Sequence, residues 1–71
     1  MKNPGRKLKK QQVDHMNDTW FNREVMATID GHTFSGRITG YSEADKECAI
    51  KHSDTTTRVS YSNILGVIEH A

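Results

Sequence analysis

The chain has 71 residues, ten Lys and Arg against nine Asp and Glu, a formal net charge of +1 and a mean hydropathy of -0.77. That length accommodates one small domain, and no apolar run approaches the roughly 18 residues of a membrane-spanning helix. The N-terminus lacks the apolar stretch of a signal peptide, and Cys48 alone allows neither an internal disulfide nor a cysteine-rich zinc site, so a reducing cytoplasm is the expected home.

The charge is unevenly distributed. Lys2, Arg6, Lys7, Lys9 and Lys10 all precede the first acid, Asp14, leaving five bases against nine acids in the remainder. Residues 1–7 are expected to form a basic arm ahead of a domain at 8–71. Two readings stand for the arm: a solvated tail, or a contact for a polyanion such as RNA or DNA.

"LKKQQVDHMNDTW" follows, with Leu8, Val13, Met16 and Trp20 on one arc at 3.6 residues per turn. This spacing predicts a helix within about residues 6–20. Its charges oppose the helix dipole, with lysines at the positive end and Asp14 and Asp18 toward the negative one. Local helix stability therefore did not select them.

From Arg23 the period becomes two. Val25, Ala27 and Ile29 alternate with Met26, Thr28 and Asp30, and Asp30-Gly31 suits a two-residue hairpin turn. A long second strand runs from about His32 to Tyr41, expected to bend at Gly36 and Gly40. "SEADKE" is a polar turn, "CAIKH" a third strand, "SDTT" a tight turn, "TRVSY" a fourth strand and "ILGVIEH" a fifth. The economical architecture is mainly β: an N-terminal helix and a strongly bent, five-stranded antiparallel small barrel. Its expected core is Val25, Ala27, Ile29, Phe34, Ile38, Ile50, Val59, Ile64 and Val67.

The run Val25-x-Ala27-x-Ile29-Asp30-Gly31-x-x-Phe34-x-Gly36-x-Ile38-x-x-Tyr41 resembles the first motif of the Sm-like family (Sm, LSm and Hfq proteins). Val59-Ser60-Tyr61-Ser62-Asn63-Ile64-x-x-Val67-Ile68 stands where the second motif belongs. The resemblance implies an SH3-type barrel capped by the leading helix. It also implies a cyclic, penta- to heptameric homo-oligomer joined by strand pairing. Its subunit interface would involve Thr57, Arg58, Val59 and Ser60 of one chain and Leu65, Gly66, Val67 and Ile68 of the next. The family's uridine-reading residues are missing. Ser42 stands at the usual Asp position, the following loop has no Asn, Ser60-Tyr61 replaces Arg-Gly, and the Hfq-type Tyr-Lys-His run is absent too.

Function then divides between an RNA-binding ring and an oligomeric scaffold with little affinity for nucleic acid. In the first, Arg6, Lys7, Lys9 and Lys10 contact phosphates, and Lys46, Tyr61, Ser62 and Asn63 lie on loops that face the pore in the family. Tyr61 either stacks on a base or packs at a subunit boundary. Clustered charge alone suffices for phosphate contact. No catalytic constellation is evident, and neither a cofactor nor a metal is expected. His15, His32, His52 and His70 are scattered, Asp30, His32 and Ser35 share one hairpin, and Cys48 reads as a small core residue.

Overall fold

The computed structural model describes residues 6–70, with the side chains of residues 7–69. Six strands form one antiparallel sheet: β1 (Arg6–Lys10), β2 (Glu24–Ile29), β3 (His32–Ser42), β4 (Glu47–His52), β5 (Thr55–Ser60) and β6 (Ile64–His70). A single 3-10 turn, Tyr61–Asn63, joins β5 to β6. The strand order is β1-β6-β2-β3-β4-β5, so β1 and β5 are its two edges.

The period-two segments become strands because alternation gives each a face to bury. Val25, Ala27, Ile38, Cys48, Ile50, Val59, Ile64 and Val67 are all buried, while Ile29 and Phe34 are half-buried against them. Asp30 and Gly31 take φ of 51° and 82°, the positive pair that the β2–β3 hairpin turn requires. The bend in β3 has two components. The β3–β4 register shifts between Ile38 and Gly40, a bulge with Thr39 as the additional residue. At Gly36, β4 approaches so closely that a Cβ would lie 2.6 Å from both Ile50 Cγ2 and the Lys51 carbonyl oxygen. The curl brings β2 into contact with β5, although two strands separate them in the sheet.

Three expectations are corrected. Among the described residues no N-terminal helix forms, the sheet has six strands rather than five, and it does not close into a barrel. The segment expected to be helical divides instead. Its first part pairs with β6, Leu8 opposite Ile68 and Lys7 opposite Glu69. There the backbone gains partners without placing lysines at a positive helix end. Later in the segment, Asn17 closes a turn. Its carbonyl accepts from Trp20 N at 3.0 Å and Phe21 N at 2.8 Å, and its side-chain oxygen accepts from Thr19 N at 2.8 Å. The apolar arc was still informative, because Met16 and Trp20 are 7% and 2% exposed and complete the core. Closure fails because β1, not β5, occupies the outer side of β6.

Gly66 is what lets β1 lie there. A Cβ at this position would collide with the Lys9 carbonyl oxygen and come within 2.9 Å of Lys10 Cα.

Candidate nucleic-acid interface

The basic segment is part of the sheet. Among the four arm candidates, Lys7, Lys9 and Lys10 project exposed side chains from edge strand β1, and Arg6 is placed by its backbone register opposite His70. A basic edge strand repels a second copy of itself, which disfavours β1–β1 pairing. The exposed side chains of Lys7, Lys9 and Lys10 are accessible to an anion.

Lys9 reaches a groove of about 690 Å³ whose walls also carry Arg23, Arg37, Asn22, Glu24 and Glu69. Three bases thus converge against two acids. Arg23 and Arg37 were not singled out from the sequence, where they lie fourteen positions apart in unremarkable polar surroundings. Antiparallel pairing of β2 with β3 folds them onto one site: Glu24 opposes Arg37, and Ile38 N donates to the Arg23 carbonyl at 3.2 Å. The Arg37 guanidinium is held in place, with Nη1 donating to the Asn22 carbonyl at 3.0 Å. Asn22 takes a φ of 64°, a conformation asparagine adopts more readily than most side chains.

The pore-loop candidates gather elsewhere. Lys46, Tyr61 and Ser62 line a separate hollow of about 380 Å³ together with Asp14. Lys46, at the β3–β4 turn with φ 55°, accepts from Tyr61 N at its carbonyl (2.8 Å) and donates from Nζ to the Asp14 carbonyl at 3.5 Å. Tyr61 is only 4% exposed, and its hydroxyl donates to Glu43 Oε1 at 3.2 Å. Burial, reinforced by that bond to a carboxylate, pushes its phenol up to about 12. Glu43 Oε2 in turn accepts from Met16 N at 2.8 Å. Tyr61 therefore fastens the 11–23 segment to the sheet, and its ring is not laid open for stacking. Ser62 is exposed and Asn63 half-buried on the 3-10 turn.

The interface candidates divide between the two sheet ends. Thr57 and Arg58 lie on edge strand β5. The Thr57 hydroxyl stands 2.9 Å from His52 Nε2, and Arg58 Nη2 donates to Glu47 Oε1 at 2.6 Å. Val59 is buried and Ser60 half-buried. Gly66 and Val67 have strand partners on both sides, in β1 and β2, and Ile68 is paired with Leu8. Leu65 is 39% exposed, and its carbonyl accepts from Gln11 N at 3.1 Å.

Cys48 is 2% exposed, and desolvation raises its thiol to about 11, so it remains a protonated packing residue. Among the described residues, no three His, Cys, Asp or Glu side chains group as metal ligands would, and no helix is long and apolar enough to cross a membrane. Neither a family model, nor a curated protein, nor a solved structure matches the chain.

Proposed function

We propose that this chain is a non-enzymatic, Sm-like module that binds single-stranded nucleic acid, RNA by preference, mainly through its phosphates. One observation carries the reading: Lys9, Arg23 and Arg37, from three different strands or their flanks, converge on one open groove beside the exposed Lys7 and Lys10 of β1. Phosphate recognition needs positive charge and donors at an accessible surface, and supplies most non-specific affinity for nucleic acid. The preference for RNA and the Sm-like character rest on the resemblance of residues 25–41 to the first Sm motif. Arg23 and Lys9 replace the pore-loop residues as the leading contacts, because Tyr61 is committed to Glu43 and Lys46 to Asp14.

A cyclic homo-oligomer belongs to the same proposal with a changed joint. With β6 covered by β1, a neighbour's β5 meets the outer edge of β1 rather than Leu65–Ile68. A ring of such chains repeats the basic strand around one axis and multiplies weak contacts into avidity. The second reading, an oligomeric scaffold, is favoured by a different observation. β5 is an open edge rich in β-branched residues, and its one base, Arg58, is already paired with Glu47.

Binding of a labelled single-stranded RNA, with oligomer mass measured by light scattering, separates the two. The nucleic-acid reading requires binding at low salt that weakens when Lys9 and Arg23 become Ala at unchanged mass. An assembled oligomer that binds no RNA establishes the scaffold instead.

A further inference from the structure

Every neighbouring pair of strands in the sheet is antiparallel, so its two edges, β1 and β5, run in opposite directions. A second copy laid head to tail therefore continues the antiparallel pattern when its β5 meets β1. The bonds already made decide which backbone groups each edge has left. In an antiparallel pair, residues bonded to their partner alternate with residues whose N–H and C=O point away. Gln11 N donates to the Leu65 carbonyl at 3.1 Å. In the β1–β6 register Lys9 and Lys7 then also turn their backbone groups toward β6, and Arg6, Leu8 and Lys10 turn theirs outward. On the opposite edge, Tyr61 N donates to the Lys46 carbonyl at 2.8 Å. Val59 and Thr57 accordingly bond to β4, which leaves Thr56, Arg58 and Ser60 pointing outward.

A ladder between the two edges must therefore set Leu8 opposite Thr56, Arg58 or Ser60. Charge separates these three registers. Leu8 opposite Thr56 brings Arg6 against Arg58, and Leu8 opposite Ser60 brings Lys10 against Arg58. Like charges directly across a ladder are destabilising. Leu8 opposite Arg58 avoids both clashes, because Arg6 then meets Ser60 and Lys10 meets Thr56. The Arg58 guanidinium already leans over β4, with Nη2 donating to Glu47 Oε1 at 2.6 Å. Its aliphatic stem is what remains for the half-buried Leu8 to pack on.

We propose that β5 of one copy pairs antiparallel with β1 of the next in the single register that sets Arg58 opposite Leu8. This rests on the homo-oligomer reading above and specifies its joint. Pairing consumes backbone groups at the edge, so Lys9, which alternates to the other face of β1 from Leu8, keeps its place in the groove. A β1–β1 joint is opposed by its own lysines, and a β5–β5 joint leaves two basic edges open. Head-to-tail pairing leaves no open edge once the ring closes.

The test uses the full chain at a concentration where light scattering shows an oligomer. Residues bonded across an antiparallel ladder have Cα atoms about 5.5 Å apart, within the span of a disulfide, whereas diagonal neighbours at roughly 7–8 Å exceed it. Leu8→Cys with Arg58→Cys, oxidised by air and copper–phenanthroline, should give a covalent ladder of dimers, trimers and larger species. Leu8→Cys with Thr56→Cys or with Ser60→Cys should not, and neither should the wild type, whose Cys48 is buried. In the wild type, the amides of Leu8, Lys10, Thr56 and Arg58 should gain exchange protection together as concentration rises through assembly. Cross-linking by a shifted pair in place of the predicted one overturns the register while leaving the oligomer. Protection gained on β5 alone, with a mass that stops at the dimer, overturns it in favour of β5–β5 pairing. A monomer mass at every concentration removes the oligomer and its joint together. RNA binding that weakens with Lys9→Ala and Arg23→Ala would still uphold the groove in that case.

Discussion

Alanine at Gly36 and alanine at Gly40, four positions apart within one strand, should change stability in opposite directions. At Gly36 the added methyl lies 2.6 Å from Ile50 Cγ2, 2.6 Å from the Lys51 carbonyl oxygen and 3.1 Å from His52 Cβ. The carbonyl is backbone in a paired strand, so relief requires β3 and β4 to separate. Overpacking of this kind costs about 3 kcal/mol, the upper end of the usual range, and reduced freedom of the unfolded chain returns up to about 1 kcal/mol. The net is about 2 kcal/mol, or a fall in Tm of roughly 8–16 °C for a domain of this size. At about 0.05–0.15 kcal/mol per residue the wild type is stable by roughly 4–10 kcal/mol, so the variant remains folded enough to measure. At Gly40 a Cβ meets only Ala49 Cβ at 4.0 Å, and Gly40 is not among the positive-φ residues. Gly40→Ala should therefore gain about 0.4–1 kcal/mol. Urea and thermal unfolding followed by the fluorescence of Trp20, the single and buried tryptophan, reads both. Equal effects at the two positions, or a Gly36→Ala variant within about 0.5 kcal/mol of wild type, the scatter of ordinary surface changes, would refute the close approach of β3 and β4.

Gly66→Ala should dislodge β1 while sparing the core, because its Cβ collides with the Lys9 carbonyl and Lys10 Cα. Hydrogen exchange should then lose protection at Leu8–Lys10 and retain it at Val25–Ile29; protection at β1 unchanged from wild type contradicts the pairing. Alkali should destabilise the domain through Cys48 and Tyr61, whose native values are raised from 9.0 to about 11 and from 10.0 to about 12. Both groups hold their protons more tightly when folded, so their contribution is complete below pH 9 and is lost as pH rises through 11 and 12. Urea midpoints should fall across that window, less so in Tyr61→Phe, and midpoints that rise would reverse the assignment.

The legible part of the fold was its alternation. Val25, Ala27 and Ile29, and Cys48 and Ile50, announced their buried faces, and Asp30-Gly31 announced its turn. Met16 and Trp20 were legible only as members of an apolar arc and not as part of the expected core; a turn at Asn17, and no helix, brings them into it. The fate of Arg6–Lys10 was not readable, because pairing with β6 depends on an edge more than fifty residues away and on the bare backbone of Gly66. At the candidate site, the lysine cluster was visible as composition. Arg23 and Arg37 were not, since only the hairpin register and the Asn22 loop unite them.

The most direct measurement of the central claim is the salt dependence of single-stranded RNA affinity. If Lys7, Lys9, Lys10, Arg23 and Arg37 each meet a phosphate, log K should fall against log salt with a slope of about −3.5 per bound chain. Lys9→Ala with Arg23→Ala should make that slope shallower by about 1.4, while Lys51→Ala, outside the groove, leaves it unchanged. Arg37 is best left in place, since its guanidinium also anchors Asn22. A slope near zero, or one that the Lys9 and Arg23 substitutions do not alter, would contradict a phosphate-binding groove.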